Sequence, residues 1–259
     1  MVPAVQSTYG QYYSAQYIKL LGAAAKRLDV LQHVKFTTWD VVSGIYPDPA
    51  NVDAILITGS IAAAYDTDLW VLTLGTFIER VYTTYPNVRI FGTCFGHQLI
   101  GKVLLGPHGA VVEKDPKGYE FGVQTISLNQ KLVEDFPCLS ALGQAESVSD
   151  SFSRNLRLQM CHGDHVALPQ SPAKLPGSWM SIGGTTHCEV QGLYEPSRVL
   201  TIQPHFECNK TIMEETIKYF YTPEKGFSQE FLQQAFADTK KEDDAAVAAE
   251  WVLRFLANI

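Results

Sequence analysis

Along this chain, stretches of helical spacing alternate with short unbroken apolar runs. Over residues 15–33, Tyr17, Leu20, Leu21, Ala24 and Leu28 fall on one helical face, which predicts an amphipathic helix. The run VDAILIT (52–58) ends at Gly59 and is apolar at almost every position, as suits a strand covered on both faces. Residues 68–85 return to helical spacing, with Trp70, Leu74, Phe77, Ile78 and Val81 in register, and Pro86 and Asn87 stop them. A second buried run, VRIFGT (88–93), leads straight into the helical pattern CFGHQLIGKVLLG, which ends near Gly106. Strand and helix alternating in this way predict parallel strands joined by helical crossovers.

Residues 109–193 change character. The short runs AVVEK, FGVQTISL, LRLQM, SWMSIGG and HCEVQGLY are punctuated by Gly, Pro and Ser and predict mixed sheet and hairpins. SRVLTIQP (197–204) is one more strand and NKTIMEETIKYF (209–220) the helix after it. Beyond Pro223, KKEDDAA leads into a last helix whose apolar face carries Ala248, Trp251, Val252, Phe255, Leu256 and Ile259. That face predicts packing on the body or on a second copy of the chain. With no internal repeat or low-complexity linker, residues 1–259 read as one α/β domain of three layers, a mostly parallel central sheet with flanking helices. Residues 224–259 then form a C-terminal helical extension.

Composition excludes several classes. At 259 residues and 46% hydrophobic, the chain is neither disordered nor fibrous. A net charge of −7 without a basic cluster argues against nucleic acid as a partner. No stretch approaches the roughly 20 apolar residues of a membrane helix, and the N-terminus lacks a secretory pattern, so a cytoplasmic protein is expected. The five cysteines are an odd number without CxxC spacing, which favours free thiols. Cys161, His162 and His165 lie near one another in sequence, as do His187 and Cys188, yet neither group has a second pair at zinc-site spacing. No metal and no cofactor are expected.

The candidate chemistry begins at Gly92-Thr93-Cys94-Phe95-Gly96-His97-Gln98, where a buried strand turns sharply into a helix. A tight turn of this kind crowds any β-carbon and so takes glycines. It also lifts the residue at its apex onto the sheet edge, as a nucleophile elbow does. A thiol at a helix N-terminus is biased toward thiolate, and the N–H of Phe95 is placed to donate to an oxyanion. The alternative is a small buried cysteine packed beneath the helix. A thiolate needs a base, and His205 and Glu207 in Gln203-Pro204-His205-Phe206-Glu207 stand at a strand end. In an extended chain they face the same side, so the carboxylate can orient the imidazole. Among the seven histidines, His205 alone combines a buried strand end with a nearby carboxylate.

GTCFGHQ, together with His-x-Glu after a late strand, resembles the class I glutamine amidotransferases. Residues 160–169, MCHGDHVALP, are similar to the SHGDxVxxLP stretch of the GMP-synthase-type branch, and Leu56-Ile57-Thr58-Gly59-Ser60 to the family's oxyanion segment. The patterns at 58–70 and 96–194 resemble the stand-alone, GMP-synthase-like group common in fungi. The resemblance covers nearly all of residues 15–220 and implies a flavodoxin-like fold with its elbow at Cys94. It also implies that Cys94 attacks the carboxamide of glutamine or a γ-glutamyl amide, with His205 moving protons and Glu207 orienting it. Gly59, Ser60 and Phe95 would supply oxyanion donors. Gln98 would help bind the glutamyl group, and His162, Gly163 and Asp164 would frame its amino-acid end. For Gln98 helix capping is an alternative; for His162–Asp164, a simple turn; His97 reads as a brace.

Three features depart from the family pattern. Pro204 and Phe206 stand where members carry Gly and Pro around the histidine, so Phe206 is expected to add bulk beside the site. Cys161 stands where the branch often has Ser. The family's first buried strand has no counterpart in MVPAVQSTYG, so that strand is absent or another segment takes its place. The expected function is a cysteine amidohydrolase or amidotransferase working through a thioester. Its partners would be a small glutamyl substrate, with a separate ammonia-accepting enzyme and a homodimer both allowed; no SGGxDS synthetase loop is present. The alternatives are a fold repurposed to use Cys94 and His205 on a non-glutamine substrate, and a non-catalytic regulatory subunit.

Overall fold

The structure, a computed structural model, describes residues 2–10, 12–143, 154–169 and 175–259. Its centre is a five-stranded sheet. β1 (Ala54–Ile57), β2 (Arg89–Thr93) and β10 (Val199–Ile202) are parallel, in the order β1-β2-β10. β9 (Gly192–Glu195) and then β7 (Met180–Ser181) continue the sheet antiparallel. The parallel half is the half that crossover helices build, as the alternating pattern predicts. The other half is a meander joined by the short turn Pro196–Arg198, where Ser197 takes a positive φ of 63°.

Side chains alternate along the central strands, and each face is covered. Phe91, Leu200 and Ile202 point into a cluster with Tyr17, Leu21 and Ala24 of α2 (Ser14–Arg27) and Trp251, Val252 and Phe255 of α8 (Ala245–Ala257). Ile90 and Val199 point the other way. They meet Leu74 and Ile78 of α3 (Leu69–Thr84) and Leu99 and Ile100 of α4 (Phe95–Leu105). This is helix–sheet–helix layering, and each such fully buried side chain stabilises it by about 1.5–3 kcal/mol. The apolar face of the last helix is therefore covered within the chain itself. Only its end, at Ile259, is exposed.

Two smaller sheets carry the middle of the chain. β3 (Val111–Lys114) pairs antiparallel with β6 (Asp164–Ala167). β4 (Glu120–Leu128) pairs along its length with β5 (Asn155–His162), and its end meets β8 (Gly183–Gly184). α5 (Gln130–Asp135) follows β4, capped by the Asn129 side chain. α6 (Lys210–Phe220) follows β10 and is capped by Asn209.

Among the described residues, α1 (Pro3–Tyr9) and α7 (Gln229–Asp238), like α5, escape the apolar pattern. α1 follows Val2; Val2 and Val5, too few to mark a period, pack with Ile212 and Met213 of α6. α7 is capped by Ser228 and buries Leu232 and Ala235 in the same cluster. Among the described residues no strand precedes β1, and β1 pairs only with β2. Ala54, Ile55 and Leu56 are accordingly only half-buried, in place of the full burial that the apolar run predicts.

Candidate active site

β2 ends at Thr93 and α4 begins at Phe95, so Cys94 alone makes the turn. Its φ of 49° and ψ of −109° lie in the left-handed half of the map, a conformation costing about 1–3 kcal/mol for a residue with a side chain. Crossing so abruptly brings backbones together. A β-carbon on Gly92 would sit 2.6 Å from the carbonyl carbon of Gly96, and one on Gly96 would sit 2.3 Å from the carbonyl oxygen of Ile57. The glycines on either side of Cys94 are thus required by close approach, as the sequence implies. The Cys94 N–H donates to the Ile202 carbonyl at 2.9 Å, tying the turn to β10. Phe95 is the first residue of α4, so its N–H has no acceptor within the helix.

His205 and Glu207 follow β10 in the next turn. Nδ1 of His205 lies 2.6 Å from Oε1 of Glu207, whose side chain is almost wholly buried. The His205 N–H donates to the Gln159 carbonyl at 2.8 Å, which anchors the turn on β5. Burial alone would lower the pKa of His205, but Glu207 first, then Cys94 and Cys208, outweigh it and hold the ring well above the usual histidine value. Gly59, beyond β1, closes the group from the third side. A β-carbon there would sit 3.0 Å from His205 Cε1 and 3.6 Å from Cys94 Cβ. Cys94, His205 and Gly59, from three parallel strand ends, therefore converge on one edge of the sheet.

They open onto a cavity of about 300 Å³. Ser60, Gln98, His162, Gly163 and Asp164 also line it, so every substrate-side residue expected from the sequence except Phe95 reaches its wall. Gln98 does not cap α4. Its Nε2 donates to the Asp164 carbonyl and to Oε1 of Gln203, both at 3.0 Å, and so braces the loop between β5 and β6. His162 is pinned on both nitrogens, Nδ1 to the Asp164 carbonyl at 3.1 Å and Nε2 to Glu120 Oε2 at 3.0 Å. Asp164 receives the Tyr65 hydroxyl at 3.2 Å, and burial raises its carboxyl pKa. His97 is buried beneath the elbow with Nδ1 2.8 Å from Thr201 Oγ1. Burial, and then His162, lower its pKa to about 3, so it is a neutral brace.

Phe206 differs from the expectation. It turns away from the cavity into the core and packs edge-on against Tyr17 and Phe91, with ring centroids 5.5 and 6.1 Å apart. The turn that brings His205 and Glu207 to the cavity sends Phe206 into the core. The cavity wall is completed by residues the sequence did not single out: Tyr13, Tyr119, Tyr221 and Phe220, with Val2 and, from α1, Val5. Cys161 and Cys208 also reach it. Burial pushes their thiols up to about 11 and about 12, so both stay protonated.

The model of glutamine amidotransferase class I matches residues 12–221. The chain belongs to the class I glutamine amidotransferase family. A glutamine amidotransferase-like protein of Schizosaccharomyces pombe is 26% identical, over 97% of this chain and 93% of its own length. Gamma-glutamyl peptidase 2 of Arabidopsis thaliana is 25% identical, over 92% of this chain and 84% of its own. The crystal structure of a glutamine amidotransferase from Thermotoga maritima superposes with a TM-score of 0.63 at 17% identity, covering 89% of this chain and 90% of its own. One from Methylobacillus flagellatus gives the same TM-score at 18% identity, over 91% and 86%. The fold is that of the class I amidotransferases, and the chain is an amidotransferase-like hydrolase or transferase. No helix among the described residues is long and apolar enough to cross a membrane.

Within this amidotransferase fold the sequence reading missed one buried polar network. Glu120 accepts from Gln191 Nε2 at 2.6 Å and from the Thr185 hydroxyl at 2.7 Å, besides facing His162. It holds the cavity-side loop to the meander. The signal was present as a lone carboxylate opening the apolar run of β4, and pairing of a buried charge is what such a residue requires.

Proposed function

We propose that the amidotransferase hydrolyses γ-glutamyl amides through a thioester on Cys94. One observation carries this reading: a strained, left-handed Cys94 at the tip of β2, facing an imidazole that Glu207 orients from 2.6 Å. The Cys94 sulfur attacks the γ-carbonyl carbon, and the oxyanion is held by the N–H groups of Phe95 and of the Gly59–Ser60 loop. The C–N bond breaks, and the nitrogen leaves with a proton from His205. Water then adds to the thioester, giving its proton to the same imidazole. The C–S bond breaks, glutamate departs and the thiol is restored.

Gln98 and the His162–Asp164 loop frame the amino-acid end of the glutamyl group. The rest of the lining, with Tyr13, Tyr119, Phe220, Tyr221, Val2 and Val5, is largely apolar and aromatic. Free glutamine has no apolar portion to meet it, whereas a γ-glutamyl conjugate carries its amine substituent there. The γ-glutamyl peptidases among the relatives support the same substrate class. When the amide is glutamine itself, the product is ammonia, delivered to solvent or to a separate acceptor enzyme.

Rapid quenching during turnover of a γ-glutamyl anilide or dipeptide, followed by peptide mass mapping, tests the reading. A γ-glutamyl group on Cys94 is expected. Turnover without any adduct on Cys94 rejects the thioester.

A further inference from the structure

Behind the loop that frames the cavity lies a second cluster of chemistry-bearing side chains. One donor atom each from Asp115, His165 and Cys188 lies within 4.8 Å of the others. Asp115 sits in the turn after β3, His165 on β6 opposite Glu113, and Cys188 in the loop before β9. His187 stands beside them, with Nε2 3.5 Å from Asp115 Oδ2 and 3.3 Å from the Gly118 carbonyl. His165 Nδ1 is also 3.5 Å from that same Asp115 oxygen. From the geometry we infer that Asp115, His165 and Cys188 form a binding site for one divalent zinc-type cation, with His187 beside it on the Gly118 carbonyl.

Two observations carry it. First, the Asp115 side chain is 98% buried by its 2% exposure, and Oδ2 has no hydrogen-bond partner. Its other oxygen is already occupied, accepting the Lys117 N–H at 2.8 Å, so the carboxylate is fixed with its open oxygen aimed at both histidines. Leaving a buried carboxylate oxygen unmatched is costly, and a cation is the partner that removes the cost. Second, the 3.5 Å between His165 Nδ1 and Asp115 Oδ2 is long for a hydrogen bond but suits two ligands of one ion, because the edges of a tetrahedron built on metal–ligand distances of about 2.0–2.3 Å are about 3.3–3.8 Å. Nε2 of His165, itself buried without a hydrogen bond, has Glu113 Oε1 at 3.8 Å. The 3.8 Å is beyond a hydrogen bond, so Glu113 stands near the outer nitrogen of the imidazole without bonding to it.

The donor set selects the ion. An imidazole, a thiolate and a carboxylate suit zinc and its neighbours, whereas magnesium and calcium take oxygen ligands. On binding, the Cys188 thiol releases its proton to solvent as the sulfur–metal bond forms. The two ligand charges then balance a divalent ion. The nearest opposing charge is Lys117, but it is exposed and its Nζ is held by the carbonyls of Thr186 and His187 at 3.2 and 2.7 Å. The sequence offered no pair at zinc-site spacing because the three ligands come from three segments joined only by the fold. The ion would clamp the 115–118 turn and the 185–188 loop to the start of β6. Asp115 N–H already donates there, to the Gly163 carbonyl at 2.8 Å, so the rim of the cavity would stiffen with it.

The test uses the full chain, stripped by chelator and titrated with cobalt(II) and then zinc(II). The expected result is about one ion per chain, with a sulfur-to-cobalt charge-transfer band and the strong visible bands of tetrahedral cobalt. Cys188→Ser removes the charge-transfer band, His165→Gln weakens binding about tenfold or more, and Cys94→Ala leaves both unchanged. Failure of the wild-type chain to bind either ion overturns the site, as does a charge-transfer band that survives Cys188→Ser or vanishes in Cys94→Ala. The wild-type titration decides the matter even if a variant fails to fold, and it is independent of whether the chain cleaves γ-glutamyl amides.

Discussion

His205 Nδ1 and Glu207 Oε1 are 2.6 Å apart, one residue removed from each other in a turn that also drives Phe206 into the core. Three consecutive side chains thus divide the work. Two face the cavity side and one locks their backbone.

The carboxylate sets the charge of the ring. Glu207 raises the pKa of His205, so the stabilisation from the charged pair is fully present below the ordinary histidine value and is lost as pH rises through the raised one. The melting temperature of the wild type should fall as pH climbs from about 6.5 into the alkaline range. Glu207→Gln should flatten that dependence and lower kcat by roughly 10²–10⁴-fold. Calorimetry across pH with matched kinetics checks both.

Gly59 is predicted to tolerate no side chain. Its backbone is not in the left-handed region, so Gly59→Ala should fold normally. The new methyl would nonetheless sit 3.0 Å from His205 Cε1 and displace the ring. A loss of about 10²-fold in kcat with an unchanged circular dichroism spectrum is expected.

Phe206 should behave as a core residue. Phe206→Ala is expected to cost about 3–5 kcal/mol of stability by denaturant unfolding. Phe206→Leu, which keeps most of the buried volume, should leave KM unchanged, since the ring does not line the cavity.

Much of this was legible in the sequence, and for physical reasons. The elbow was readable because a backbone crossing as close as Gly96 on Ile57 leaves glycine no substitute. The parallel strands were readable because burial on both faces leaves unbroken apolar runs. His205 and Glu207 were readable from their spacing, although the structure joins them through a turn and not along an extended strand. Phe206 was not legible because the turn that sends its ring into the core is set by the fold and not by its own residues. Glu120, Tyr119 and Tyr221 reach the site from β4, from the turn before it and from the end of α6, and only the fold brings them there. α1 was invisible because two valines carry no period. The half-buried β1 followed from its neighbours in the sheet, which its own residues do not specify.

The central claim is that the Cys94 sulfur is the nucleophile. Its most direct test is release of ammonia or amine from glutamine and a panel of γ-glutamyl amides by the wild type and by Cys94→Ala. The predicted result is release by the wild type, strongest for amides with an apolar amine substituent, and a drop of about 10³-fold or more in the variant. Release that persists undiminished in Cys94→Ala would contradict the account.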